Sequence, residues 1–329
     1  MAIQWLRCGH HVYIVSTWWG SRASSIMLYH LLLFIEKRQL LSQKTSNQLH
    51  FLQYDVRHEE EAEKAVNELL QATIRGVAYV IADEVNGDFK NFGERLVTKI
   101  SDVHVWASSC YHGDAPAGWR MEYLTRPLRS PPAVVREVEQ SKIIKDKYVL
   151  GYSKRRVPDH TDGPPVTRLY HGGQGHSGDW PINCVTCGLE VARVLHSLRV
   201  GVTDTVVISG GTTPACLQWR DVLVLYGGNT RQISGLSVMR GLREAGIPVW
   251  VMEDEDIEDV ATARSDVVWI TNVERVLGLE RKVIVHLVTE ESGSVSCTAQ
   301  GTKTSSSPLS SPQLKEPFLQ KFSHIATVG

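Results

Sequence analysis

An apolar run that ends in two adjacent carboxylates is the feature that most constrains the fold of this chain. Residues 79–86 read YVIADEVN. β-Branched and aromatic residues favour a strand, and a continuous apolar run is typical of a strand buried on both faces. Asp83 and Glu84 are then expected at the carboxyl end of that strand, where ligands bind in an open α/β sheet. A strand that simply runs into an acidic turn is the alternative.

Strand-like and helix-like patterns alternate on both sides of this run. In the first half, strands are predicted at 11–16, 49–55, 77–82 and 103–107, and helices at 21–37, 59–70, 91–99 and 133–143. In the second half, strands are predicted at 166–170, 205–209, 221–225, 249–252, 267–271 and 282–287, and helices at 187–198, 233–245 and 257–263. Such alternation is typical of βαβ units, so we expect an α/β fold with mainly parallel sheets.

The 329 residues are long enough for about two domains. We predict an N-terminal lobe at 1–143, a linker rich in Pro, Gly and His at 144–180, and a C-terminal lobe at 181–288. Residues 289–329 are rich in Ser, Thr, Gly and Pro and have little apolar periodicity, so a disordered tail is expected there.

The charge and the hydrophobic pattern limit the cellular location and the binding partners that we expect. The formal net charge of -1 excludes a global basic field, so nucleic-acid binding would need a local basic patch. The apolar run at 26–35 is too short to span a bilayer and is interpreted as a buried helix packed on a sheet. We therefore expect no membrane association and a cytoplasmic or nuclear protein.

The chain has a single Cys-x-x-Cys pair, formed by Cys184 and Cys187. A structural zinc site needs four ligands, and no second pair of this kind exists. We interpret these cysteines as small residues that open a helix in a reduced compartment. A mixed site that also uses His171 and His176 is the alternative.

Four motifs follow one another in a fixed order. A loop with the sequence TWWGSR occupies residues 17–22, between a predicted strand and a predicted helix, where backbone N–H groups receive an anion. The other three motifs are DEVN at 83–86, PLRS at 127–130 and LGLE at 277–280.

In this order, over residues 11–287, the motifs resemble the nucleotide-binding core of superfamily-1 helicases and related RecA-like P-loop ATPases. The resemblance implies two RecA-like lobes that bind ATP and Mg²⁺ between them. It implies that Asp83 supports Mg²⁺, that Glu84 orients the attacking water and that Arg129 reaches the γ-phosphate. The nucleotide-binding residues that it implies are Gly20, Ser21, Arg22, Ala23, Asp83, Asn86 and Glu280.

The departures from the family pattern predict weak or lost hydrolysis. The family's phosphate loop ends in Gly-Lys-Ser/Thr, whereas residues 20–23 read GSRA and contain no Lys. Loss of a charge that stabilises phosphoryl transfer costs orders of magnitude in rate. The resemblance implies single-stranded nucleic acid or a protein as partner. The alternatives are a catalytically inactive ATPase-like scaffold and an unrelated doubly wound enzyme that binds a different nucleotide.

Overall fold

The computed structural model describes residues 1–39, 47–73, 77–109, 115–120, 131–139, 166–172, 174–202, 216–227 and 236–287. Its helices are α1 (Ala2–Arg7), α2 (Arg22–Gln39), α3 (Glu59–Ala72), α4 (Phe89–Lys99), α5 (Pro132–Glu139), α6 (Val185–Ser197), α7 (Ser237–Glu244) and α8 (Ile257–Thr262). Its strands are β1 (Val12–Ser16), β2 (Leu49–Gln53), β3 (Val77–Val85), β4 (Asp102–Ser109), β5 (Val222–Tyr226), β6 (Val249–Val251), β7 (Val268–Asn272) and β8 (Val283–Leu287).

The chain divides into two compact units that interleave along the sequence. The first unit comprises Met1–Arg126, Met252–Ser265 and Val273–Glu280. The second comprises the described parts of Pro127–Val251, Asp266–Asn272 and Arg281–Gly329. Our predicted domains were uninterrupted ranges, whereas here two short segments from the second half of the chain belong to the first unit.

The first unit is built on a four-stranded parallel sheet in the order β2-β1-β3-β4. All of β1 is buried, and its side chains alternate between two cores. Tyr13 and Val15 pack into a cluster with residues of α3 and α4, whereas Val12 and Ile14 pack with residues of α1 and α2. Helices therefore cover both faces of the sheet, as a parallel sheet requires.

Sequence pattern accounts for the way α3 covers its face of the sheet. Glu59, Glu60 and Glu61 stand in its first turn, where the helix dipole favours negative charge. Its buried residues recur at helical spacing, which produces one apolar stripe; they are Ala62, Ala65, Val66 and Leu69.

The segments from the second half of the chain pack at the start of α2. Ile257 and Ala261 of α8 form a buried cluster with Ala23 and Ile26 of α2. The 3₁₀ turn Val273–Val276 contacts both α2 and the 3₁₀ turn Trp19–Ser21. The surroundings of the loop after β1 are therefore completed by residues about 250 positions away in sequence.

The second unit has its own four-stranded parallel sheet, in the order β6-β7-β5-β8. β5 lies between β7 and β8 and is buried along its whole length. Its core joins this sheet to α6 and α7 through residues such as Val191, Leu195, Val238 and Leu242.

Glycines allow α6 and α7 to cross at close range. A Cβ on Gly188 would lie 2.2 Å from the carbonyl oxygen of Val238, and a Cβ on Gly241 would lie 2.1 Å from that of Val185. Neither backbone oxygen can move without displacing its helix, so only glycine fits at these two positions.

The model confirms an α/β fold with parallel sheets. The strand predicted at 166–170 is wrong: these residues form no strand, and Leu169 and Tyr170 are exposed instead of packed in a sheet. The predicted strand at 205–209, residues 127–130 with Arg129, and the predicted tail at 289–329 lie outside the described residues.

The apolar run at 26–35 lies within α2 and packs on the sheet through one face only. Leu32 is buried in the cluster that contains Val12 and Ile14, whereas Leu31 and Phe34 are half exposed. Among the described residues, no helix combines the length and apolar character needed to cross a bilayer.

Candidate functional site

The carboxyl ends of β1 and β3 form the edge where the sequence predicts a ligand. From β1 the chain passes to β2 on one side, and later returns to β3 on the other side. The loops after β1 and β3 therefore flank a topological switch point, which is where open parallel sheets bind ligands. The predicted site residues that the structure describes all lie in the first unit.

The loop after β1 is short and is closed by its own hydroxyl group. Five residues join Ser16, the end of β1, to Arg22, the start of α2. The Oγ of Ser21 accepts hydrogen bonds from the backbone N–H groups of Thr17 (2.9 Å) and Trp18 (3.2 Å). It also lies 2.9 Å from the Trp18 carbonyl oxygen, to which it donates. Two backbone donors of this loop, at Thr17 and Trp18, are thus already bonded to Ser21.

The indole of Trp18 lies between this loop and the end of β3. A Cβ on Gly20 would stand 2.5 Å from the Trp18 ring, so Gly20 is required for the ring to lie flat against the loop. The indole N–H donates to the backbone carbonyl of Glu84 over 2.7 Å. Trp18 is only 6% exposed. A large apolar side chain therefore occupies the space next to the loop.

The two predicted carboxylates lie within β3, near its end. A bulge falls between Ala82 and Val85, and Glu84 has a positive φ of 58°. That conformation is costly for a residue with a side chain and is a form of strain that recurs at functional sites. The hydroxyl of Ser108 on the neighbouring β4 donates to the Asp83 carboxylate.

Glu84 also contacts the LGLE motif. A Cβ on Gly278 would lie 2.9 Å from Glu84 Oε1 and 2.8 Å from Ser24 Cβ, so the turn at Gly278 fits closely against both. Leu279 packs against the cluster of Ala23 and Ile26 on α2, and Glu280 follows it in the same unit. The model therefore brings together three of the four motifs named in the sequence.

Several buried polar atoms at this edge have no hydrogen-bond partner among the described residues. They are Thr17 Oγ1, Arg22 Nε, Ser25 Oγ and Asn86 Oδ1. Thr17 and Ser25 are fully buried. Buried polar atoms are nearly always hydrogen-bonded in native proteins, so such a group is a feature that asks for an explanation. The sequence places Thr17 and Trp18 in the candidate loop, but it does not predict the contacts that their side chains make.

The cation that stands over the indole is already paired with a carboxylate. The guanidinium of Arg57 stands over the Trp18 ring, 5.8 Å from its centroid, and bonds Asp55 through two nitrogens. This pairing lowers the pKa of Asp55. Burial raises the pKa of Glu274, and the charge of Arg57 partly opposes that shift. Arg57 is therefore occupied by Asp55 and is a poor substitute for the phosphate-binding Lys of the family.

The residues at this edge do not fit an ATP triphosphate held in the family manner. Phosphate binding at a helix N-terminus requires unoccupied backbone N–H groups and room for close approach. Here the Ser21 hydroxyl occupies two of the N–H groups, the Trp18 ring adjoins the loop, and no Lys follows Gly20. The Asp83 carboxylate, predicted to support Mg²⁺, is bonded to Ser108.

A second cluster of functional side chains lies in the second unit. His171, His176, Cys184 and Cys187 each offer one possible ligand atom, and these atoms all lie within 4.8 Å of one another. Cys184 is the N-cap of α6, which confirms that the Cys-x-x-Cys pair opens a helix. The structure also places His171 and His176 next to this cysteine pair. The alternative of a mixed site with two histidines therefore describes the arrangement better. The spacing His-x₄-His-x₇-Cys-x₂-Cys was the signal in the sequence.

The two thiols differ sharply in acidity. Burial raises the pKa of Cys184, but hydrogen bonds from Ser177, Cys187 and His176 outweigh it and lower the pKa to about 6. Burial and the neighbouring Cys184 sulfur raise the pKa of Cys187 to about 12. The pair of thiols therefore loses one proton readily. Loss of the second proton needs a positive charge next to the sulfur atoms.

No protein-family model and no curated protein sequence matches this chain. Its function is therefore inferred from its residues and their geometry.

Proposed function

We propose that this chain is a helicase-like module of two RecA-like lobes that has lost ATP hydrolysis and acts as an interaction scaffold in the cytoplasm or nucleus. The observation that supports this function best is the closed loop after β1. The Ser21 hydroxyl and the Trp18 indole occupy positions where a phosphate loop would bind the phosphates of ATP.

Physical chemistry explains why this closure works against ATP. A bound phosphate would have to displace the Ser21 hydroxyl from the N–H groups of Thr17 and Trp18. It would also have to move a buried indole, at a cost of apolar burial of about 25 cal/mol for each Å² exposed. No Lys in the loop compensates with charge. Phosphoryl transfer depends almost entirely on such positioning and charge stabilisation, so turnover should be lost first.

A second candidate function is ATP binding without hydrolysis. It is favoured by the unpartnered buried atoms Thr17 Oγ1, Ser25 Oγ and Asn86 Oδ1, which lie at the switch point and could each bond a ligand. In this case Asp83, Asn86 and Glu280 would contact the nucleotide, and the Gly20–Ala23 segment would open to receive it.

Thermal unfolding of the full chain with a non-hydrolysable ATP analogue and Mg²⁺ separates the two candidates. A scaffold shows no change in melting temperature. A ligand at about 100 times its dissociation constant adds about 2.7 kcal/mol of stability, which raises the melting temperature by several degrees. A shift of that size would replace the scaffold proposal with the nucleotide-binding one.

An ATPase assay tests the loss of hydrolysis. We expect phosphate release by the wild-type chain to equal that of the Glu84→Gln variant, because Glu84 has no phosphate to act on. Glu60→Gln, which changes an exposed carboxylate on α3, is the matched control. Turnover in the wild type and in Glu60→Gln that disappears in Glu84→Gln would refute both candidates and establish an active enzyme.

A further inference from the structure

Three nitrogen–sulfur distances in the His/Cys cluster of the second unit match the edges of a tetrahedral metal centre. The Nδ1 of His171 lies 3.3 Å from the Cys187 sulfur. The Nδ1 of His176 lies 3.5 Å from the Cys184 sulfur and 3.4 Å from the Cys187 sulfur. Zinc bonds of about 2.3 Å to sulfur and 2.0–2.1 Å to nitrogen give tetrahedral edges of about 3.3–3.8 Å. These three nitrogen–sulfur distances fall in this range.

We propose that His171, His176, Cys184 and Cys187 bind one Zn²⁺ ion as a structural site. Two thiolates and two imidazoles are a donor set that zinc prefers, and its tetrahedral form has no position left for substrate or water. A site closed by four protein ligands serves folding and not catalysis.

The Nδ1 of each histidine faces the cysteine sulfurs, and its Nε2 faces an acceptor outside the cluster. The Nε2 of His171 lies 2.9 Å from the Gly178 carbonyl oxygen, so it carries the proton and donates. The Nε2 of His176 lies 3.5 Å from a carboxylate oxygen of Glu190. Metal-binding histidines almost always donate their other N–H to a carbonyl or a carboxylate, which fixes the ring and its tautomer. His171 makes such a bond to a carbonyl, and a carboxylate lies on the outer side of His176.

The cysteines are held by the start of α6. The Cys184 sulfur accepts a hydrogen bond from the backbone N–H of Cys187 over 3.4 Å. Both side chains are buried, and both are free thiols. A thiolate at a helix N-terminus is stabilised by the dipole of that helix. The local backbone therefore favours the charge state that a metal requires.

The site would fix a segment in which two large apolar side chains are exposed. Within 166–180, Leu169 and Tyr170 are exposed, and the chain folds back through positive-φ turns at Gly175 and Gly178. Metal bonds from His171 and His176 would tie this segment to α6, whose Val191 and Leu195 lie in the core of the second unit. Metal-binding free energy in such a site is folding free energy.

Metal analysis of the full chain, purified without chelator under reducing conditions, tests the proposal. We expect about one equivalent of zinc per chain. Cys184→Ser and Cys187→Ser should reduce it at least tenfold. Cys216→Ser, which changes an exposed cysteine of the same unit, and His196→Gln, on α6 but outside the cluster, should keep it.

A measurement on the wild type keeps the test valid if the cysteine variants fail to fold. Titration of the thiols with an organomercurial should release the zinc to a chromogenic chelator. Replacement by Co²⁺ should produce the intense visible absorption of a tetrahedral thiolate complex. A metal-free chain with a Cys184–Cys187 disulfide would overturn the proposal. Iron with sulfide, or octahedral Co²⁺, would do so too. Each of these results is independent of any ATP experiment.

Discussion

The crossing of α6 and α7 provides a quantitative test of the packing in the second unit. Alanine at Gly188 places a Cβ 2.2 Å from the Val238 carbonyl oxygen, whereas ordinary contact begins at 3.4 Å. The two helices must therefore separate by roughly 1 Å, and overpacking of this kind costs about 1–3 kcal/mol. Alanine returns up to about 1 kcal/mol of helix propensity. We expect Gly188→Ala to lower the unfolding free energy by about 1–2 kcal/mol.

The reciprocal contact makes the test sharper. Gly241→Ala produces the same clash from the other helix, 2.1 Å from the Val185 carbonyl oxygen. One separation of the helices relieves both clashes, so the double variant should cost less than the two single variants added together. Residues in direct contact show such coupling at about 0.5–3 kcal/mol.

The assay is urea denaturation and thermal unfolding followed by circular dichroism. A loss of 1–2 kcal/mol corresponds to a decrease in melting temperature of about 3–6 °C. Gly227→Ala is the control, because its Cβ would meet no atom within 4 Å in the described part of the chain. Strictly additive single variants, or a Gly188→Ala variant as stable as the wild type, would refute the close crossing.

Two further predictions concern a strained residue and a histidine pair. Ala263 ends α8 in the left-handed region (φ 51°), which costs an alanine about 1–2 kcal/mol. Ala263→Gly should therefore stabilise the chain by about 0.5–1 kcal/mol after the entropic cost of glycine. Ala245→Gly, at φ -84°, should only destabilise, and equal melting temperatures for both variants would contradict this. Burial, and then the charge of His11, lower the pKa of His50, which lies 2.9 Å from it. The unfolded chain therefore binds the proton more readily, and stability should fall as pH drops below about 6.5. His50→Gln should flatten a plot of melting temperature between about pH 7.5 and 5.5, and an unchanged slope would argue against this half-buried pair.

Local sequence signals were sufficient for most of the fold. β1, β3 and β5 are continuous apolar runs, and the structure buries β1 and β5 completely and most of the centre of β3. The acidic first turn and apolar stripe of α3 placed its start at Glu59. These elements were predictable because periodicity and capping act within a few residues. The strand predicted at 166–170 failed because a strand also needs a partner, which its own sequence does not specify.

Long-range packing explains what sequence analysis missed at the candidate site. Nothing local to Trp18 shows that its indole bonds the Glu84 carbonyl, 66 residues away. Nothing in the sequence near Gly278 shows that it lies against Glu84 and Ser24. Loops after neighbouring parallel strands meet at one edge, so the position of the site was predictable, but its contents depend on tertiary contacts. The zinc ligands, in contrast, lie within 17 residues of sequence, and their spacing carries the signal.

The two candidate sites differ in which atoms are left without a partner. At the edge of the first sheet, two loop N–H donors are bonded to Ser21, and the indole donor of Trp18 is bonded to Glu84. An anion must break these bonds before it can form its own. Each hydrogen bond that the anion then forms would contribute a net stabilisation of only about 0.5–1.5 kcal/mol. In the second unit, four electron-pair donors converge while the outer N–H of each histidine is directed elsewhere. Weak S–H donors cannot pair with all four of these electron-pair donors, whereas a divalent cation can. Electrostatics thus favours a bound metal in the second unit and an empty phosphate loop in the first.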